Sequence, residues 1–267
     1  MDRRTFLRRG ALTGAGVAVG AAGGGVGGTL LERSHATDLL EELDRGHLGH
    51  GSARVLWSVA TDRKVAALTF DDGPHPRLTP RVLDMLREHH VAATFFIIGA
   101  AAERHPDLLH RAIDEGHEIG NHTWSHPHMA YLGSAAAREE VIRGGQALER
   151  LTGRQARWFR SPRGMLTGTI VQAATDLHQD VAMWTTGTPG DPLKLTTGQI
   201  TDRLLEALQP GTIYDLHDGT SGREHDQTFE RIRDAELPAY PAFLEQAAAR
   251  GFTFLRLSDL VATATPA

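Results

Sequence analysis

No cysteine occurs among the 267 residues, so disulfides, thiolate metal sites and cysteine nucleophiles are excluded. An excess of basic charge is also missing. Acids number 33 and bases 28, a mildly acidic balance that does not suit general nucleic-acid binding, which relies on a basic patch. Nor is there a strongly apolar stretch of the roughly 20 residues that a membrane-spanning helix requires. The uncharged run from Ala11 to Leu31 is loaded with glycine, which disfavours a stable helix. Internal repeats are absent, and low-complexity sequence is confined to that leader. What the chain does hold in quantity is histidine, with 15 copies. Its length and its 40% hydrophobic content suit one globular domain carrying an appendage.

The appendage is N-terminal. MDRRTFLRRG sets Arg3-Arg4 ahead of Phe6-Leu7 and the weakly apolar run. This order resembles a twin-arginine export signal, and Ser34-His35-Ala36 offers a small-x-small cleavage site. Residues 1–36 are therefore expected to direct the protein out of the cytoplasm, to be secreted or held at the cell envelope, with no stable membrane span after their removal. Residues 37–61, polar and rich in His and Gly, read as a linker, and residues 62–262 as the folded domain.

Within that domain, strand-like and helical patterns alternate. Apolar strand-like runs fall at 65–70, 91–98, 117–121, 157–160, 180–185, 212–217 and 252–257. Helical patterns lie between them: one from Thr79-Pro80 with Val82, Leu83 and Leu86 on one face, one from Pro106 to Gly116, and one from Ser134 to Gly153. Others are expected near 168–177, 197–209 and 240–250. VAATFFIIG is apolar without alternation, as in a parallel strand covered on both faces. Such alternation points to an α/β barrel or a doubly wound sheet.

The unusual polar residues decide between these. Asp71 and Asp72 end the first run, His122 and His126 follow the third, Arg160 ends the fourth, Trp184 lies in the fifth, and His217 ends the sixth. In a parallel barrel the carboxyl ends of the strands share one face, where active sites sit. In a doubly wound sheet they would spread along a line. The coincidence favours a barrel.

His122 and His126, four apart in NHTWSHPH, face one side if that stretch is a tight turn or one helical turn. Alone, in so histidine-rich a chain, the pair is a weak signal. With a carboxylate from Asp71-Asp72 it completes a three-ligand set that leaves one coordination position open. The two acids then divide the work. One compensates a dication; the other, near Arg160, stays ionised and can take a proton. An Asx turn before Gly73-Pro74 would account for one of the acids but not both. His217 adds a group titrating near neutrality, able to protonate a leaving group. Trp184 reads equally as a core ring or as a stacking face for a sugar.

These motifs are similar to those of the polysaccharide deacetylases that carry the NodB homology domain, carbohydrate esterase family four. Thr69 to Pro74 reproduces Thr-Phe-Asp-Asp-Gly-Pro, His122 to Pro127 reproduces His-Ser/Thr-x-x-His-Pro, and Arg160 to Gly164 reproduces Arg-x-Pro-x-Gly. Tyr214-Asp215-Leu216-His217 stands for Leu-x-Ile/Leu-His. The resemblance covers residues 62–262 and implies a distorted, seven-stranded (β/α) barrel. It implies one divalent ion, zinc before cobalt or nickel, on Asp72, His122 and His126. Asp71 would be the general base, Arg160 its orienting partner and His217 the general acid. The implied reaction removes N-acetyl or O-acetyl groups from an acetylated polysaccharide or oligosaccharide, such as peptidoglycan, chitin or xylan. A non-catalytic carbohydrate-binding relative and a small-molecule amidohydrolase are the competing readings. Pro162 and Trp184 are expected to line the substrate site. Tyr214, replacing a leucine of the acyl pocket, is expected to alter acyl preference. The family's Asp-x-x-Asp-Trp segment reads here TTGTPGDP, which makes Asp191 the expected partner of His217.

Overall fold

Alternation along the strands decides which side chains meet inside the protein. In β2 (Val65–Asp71) every residue is buried. Val65 and Ala67 cluster with Phe96, Trp158 and Ile213, whereas Ala66, Leu68 and Phe70 pack with helix residues such as Leu83 and Leu244. A period of two thus puts Thr69 and Asp71 on the inner face with Val65 and Ala67. The computed structural model describes residues 53–187 and 190–265. The leader expected over 1–36 and most of the linker lie outside the described residues.

The remaining strands are β1 (Val55–Leu56), β3 (Thr94–Ile97), β4 (Glu118–Asn121), β5 (Trp158–Phe159), β6 (Asp180–Ala182), β7 (Thr186–Gly187), β8 (Ile213–His217) and β9 (Thr253–Leu255). All pair in parallel, in the order β1-β6-β5-β4-β3-β2-β8-β7, with β9 on β2. Residues 180–187 serve both ends of that order, because β6 pairs with β1 and β5 while β7 pairs with β8. The sheet therefore curls back on itself as a distorted α/β barrel. All seven expected strands are present. The two additions, β1 and β7, are two residues long, too short to leave a periodic trace.

The chain joins the sheet earlier than the linker reading expects. Val55 and Leu56 pair with Val181 and Ala182, and Val59 is buried with its N–H on the Gly211 carbonyl.

The helices are α1 (Thr79–Glu88), α2 (Gly99–Arg104), α3 (Pro106–Asp114), α4 (Ser134–Thr152), α5 (Gly168–Asp176), α6 (Thr197–Glu206), α7 (Gln227–Glu236), α8 (Tyr240–Ala249) and α9 (Leu257–Val261). Proline opens α1 and α3 where its missing N–H costs nothing. Gly153 closes α4 in the left-handed region, at φ 69°. Thr196 and Gln199 form a reciprocal capping box on α6. Leu257 and Leu260 of α9 join the inner cluster, so this short helix packs against the barrel interior. No helix among the described residues is long and apolar enough to cross a membrane.

Candidate active site

Asp71 closes β2 with its side chain on the inner face, and Asp72 is the first residue beyond, turned by a φ of 77°. That reversal gives the two adjacent carboxylates different main partners, although Asp71 Oδ2 still lies 3.6 Å from His122 Nε2. Asp71 Oδ1 accepts from Arg160 Nη1 at 2.8 Å. Arg160 is wholly buried and fully engaged: Nη1 also donates to Thr69 Oγ1, Nε to the Ala182 carbonyl and Nη2 to the Met183 carbonyl. Its guanidinium lies 4.0 Å over the Phe96 ring. A second acid, Asp215, comes from β8 and stands 3.4 Å from Nη1. Burial raises the Asp71 pKa well above the usual carboxylate range, Arg160 opposes this, and Asp215 and Asp72 add to it. A stronger proton acceptor results than the neighbouring arginine alone would suggest.

Asp72 faces the histidines. Its Oδ1 lies 3.2 Å from His126 Nε2 and 3.7 Å from His122 Nε2. The stretch carrying both imidazoles is a turn rather than a helix, with Thr123 at φ 70° and His126 at φ 56°. The His126 N–H donates to Thr123 Oγ1. Asn121, at the end of β4, ties this turn to α4: its Nδ2 donates to the Val141 carbonyl and its Oδ1 accepts from the Thr123 N–H. Left-handed non-glycine residues cost energy and are held by their surroundings, as at many functional sites.

The donor atoms fit a divalent ion. One ligand atom from each of Asp72, His122 and His126 lies within 4.8 Å of the others. Asp72 Oδ1 is buried without a hydrogen-bond partner. The His122 Nδ1–H donates to the Arg160 carbonyl at 2.8 Å, which fixes the tautomer and leaves Nε2 bare. Burial pushes His122 down to about 3 and lowers His126, so both imidazoles are neutral, the form that ligates. Burial alone would raise Asp72, but in acid, where the imidazoles of His126, His217 and His122 take up protons, their charge and that of Arg233 outweigh it and bring the carboxyl to about 2.

His217 ends β8 in register with Asp71. The ring is partly accessible, while its Nδ1 is enclosed with no hydrogen-bond partner. Burial, then Arg233, pushes its pKa well below the ordinary imidazole value, in contrast to the near-neutral titration expected from sequence. Asp72 pulls the other way but does not outweigh them.

A model of the polysaccharide deacetylase family matches residues 58–182. A chitooligosaccharide deacetylase from Sinorhizobium fredii is 34% identical over 186 residues, 69% of this chain and 86% of its own. The chain belongs to the polysaccharide deacetylase family. This deacetylase is also 31% identical to a peptidoglycan-N-acetylglucosamine deacetylase from Bacillus cereus, over 78% of this chain and 92% of that one. Its fold matches the crystal structure of a peptidoglycan N-acetylglucosamine deacetylase bound to a substituted N-oxidanylbenzamide, with a TM-score of 0.68 at 30% identity, covering 80% and 95% of the two chains.

The deacetylase brings Asp71, Asp72, His122, His126, Arg160 and His217 to one end of the barrel. Two expected residues stand elsewhere. Tyr214 is wholly buried on the outer face of β8, its hydroxyl donating to the Leu204 carbonyl and its ring edge-on to Phe243. It therefore does not line an acyl pocket. Strand alternation explains why: His217 and Asp215 face inward, so Tyr214 faces out. Asp191 caps the short 3-10 turn Pro192–Lys194, accepting from the Leu193 N–H and pairing with Lys194. It is not the partner of His217. Trp184 is half-buried, 5.6 Å from the Arg160 guanidinium, and Pro162 opens the turn that follows Arg160.

Sequence reasoning missed four polar residues packed around the deacetylase site: Asp215, Asp218, Ser221 and Arg233. Asp218 is fully buried and accepts from Thr79 Oγ1, and burial raises its pKa to about 7. Parity with His217 could have found Asp215; nothing local marks the other three.

Proposed function

We propose that this deacetylase is a metal-dependent hydrolase removing N-acetyl groups from a cell-wall or extracellular polysaccharide of the peptidoglycan or chitin type. The observation that carries this reading is the unequal placing of the two adjacent acids: Asp72 Oδ1 faces both His122 and His126, while Asp71 is bonded to Arg160 through Oδ1 and brings only Oδ2 to 3.6 Å from His122 Nε2. The names of the two relatives support the N-acetylated substrate class.

Asp72, His122 and His126 would hold the ion. Two imidazoles and one carboxylate suit zinc best, and cobalt or nickel accept the same donors. Such an ion, when bound, supplies Lewis-acid chemistry, activating water and polarising the acyl carbonyl. Asp71, clamped through Oδ1, keeps Oδ2 to receive the proton of the attacking water. Arg160 cannot swing away, since its other donors are spent on backbone carbonyls. As the carbon–nitrogen bond breaks, the proton taken by Asp71 would pass by way of the His217 imidazole, neutral at rest, to the leaving nitrogen, and acetate and the free amine part.

Acetate release from peptidoglycan, chitin oligomers and O-acetylated xylan tests this. Release from the first two, abolished by a chelator and restored by zinc, is expected. Release from xylan alone would shift the reading to O-acetyl groups. No release from any of the three would hand the protein to the non-catalytic carbohydrate-binding reading.

A further inference from the structure

The two oxygens of Asp72 have different surroundings. Oδ1, beside the imidazoles, has no hydrogen-bond partner. Oδ2 is engaged: the Ser221 hydroxyl donates to it at 3.0 Å, and Arg233 Nη2 stands 3.7 Å away. Arg233 comes from α7 and is itself fixed. Its Nε donates to the Gly219 carbonyl at 3.1 Å and its Nη1 to Glu236 Oε2 at 3.2 Å. Both Arg233 and Glu236 are buried. The chain between β8 and α7 lies flush against the Asp72 turn, so closely that a Cβ on Gly219 would collide with the Asp72 carbonyl. Asp72 and Ser221 both have positive φ, at 77° and 53°, so neither end of their hydrogen bond sits on a relaxed backbone.

We propose that Ser221 and Arg233 are positioning residues for Asp72: they occupy Oδ2, leave Oδ1 as the one oxygen offered beside His122 and His126, and so set the affinity and coordination number of a divalent-ion site. This rests on the reading of Asp72 as a ligand. A carboxylate free to turn about Cβ–Cγ would have to be ordered on binding, and could present both oxygens. Groups that orient a ligand from behind are commonly worth about 10- to 100-fold in metal affinity. His122 has the equivalent support in the Arg160 carbonyl.

The test needs no substrate. Zinc affinity of the full chain is measured by competition with a chromophoric chelator, and the visible absorption of the cobalt(II) form reports coordination number. Ser221→Ala should weaken zinc binding by about 10- to 100-fold, and the cobalt band should lose intensity as Asp72 adds its second oxygen. Ser221→Gly removes the same hydroxyl from a backbone that glycine accepts without strain, and should show the same loss, so poor folding of the alanine variant cannot hide the effect. Arg233→Lys keeps the charge but not the fork that serves Gly219, Glu236 and Asp72 together, and should also weaken binding. Zinc affinity within twofold of the parent in Ser221→Ala and Ser221→Gly, with an unchanged cobalt spectrum, overturns the proposal while leaving Asp72 a ligand. A parent chain that binds neither ion overturns the ligand reading itself.

Discussion

At the scale of single residues, the adjacent acids should separate on mutation. Asp72→Ala removes the one carboxylate of the ligand set and should empty the protein of zinc. Asp71→Asn should retain the metal yet lower turnover by about 10²- to 10⁴-fold, the usual worth of a general base. Elemental analysis with acetate release distinguishes them, and a metal-free Asp71→Asn beside a loaded Asp72→Ala would reverse the roles. A second residue-scale expectation lies outside the site. His117 is buried, its Nδ1 accepting from the Ala93 N–H and its Nε2 without a partner. Burial lowers its pKa from 6.5 to about 4. As the pH falls, the unfolded chain takes up this proton first, so the contribution to stability is whole above 6.5 and drains away towards 4. The loss over that window is about 3 kcal/mol. His117→Asn, whose Oδ1 can take the place of Nδ1, should remove it. In urea titrations the parent's advantage over the variant at pH 7.5 should shrink by about 2–3 kcal/mol at pH 4.5, and an equal gap at both would refute the assignment.

At the scale of elements, α4 and the histidine turn are fitted to each other at Gly144. A Cβ there would come within 2.5 Å of Asn121 Oδ1 and 2.7 Å of the Thr123 carbonyl oxygen. Helix propensity alone favours Gly144→Ala by about 1 kcal/mol. Overpacking against backbone typically costs about 1–3 kcal/mol, and here it would push the helix off the turn that carries His122 and His126. A lower thermal midpoint together with weaker zinc binding is expected, whereas a simple gain in stability would show that α4 can shift without disturbing the ligands. Seven of the strands were legible because each lies in an apolar run with a turn at its end, whereas β1 and β7 are only two residues long. The motif residues were legible because each sits where such a run stops. Ser221 and Arg233 were not, since their meaning comes from meeting Asp72 across the barrel, and no local pattern encodes that meeting. Asp191 misled for the opposite reason: its neighbours Leu193 and Lys194 satisfy it within its own turn.

At the scale of the whole molecule, we propose that Arg3-Arg4 and the glycine-rich run behind them direct export of the folded protein. Replacing Arg3 and Arg4 by lysine should trap it inside the cell, as read by fractionation, and unchanged export would remove the twin-arginine reading. A barrel of this connectivity also has an order of assembly. Strands β2 to β6 are neighbours in sequence as well as in space, so Asp71, Asp72, His122, His126 and Arg160 can gather as the chain emerges from the ribosome. The last partners of β2 arrive late, with Asp71 waiting for His217 and Val65 for Thr253. Closing those long-range pairs is the slow part of folding. The ligand set can thus form on a nascent chain that still lacks its proton donor and the Ser221–Arg233 brace. On the roles proposed above, activity would wait for β8 and the stretch behind it, after the ligand set could first meet an ion.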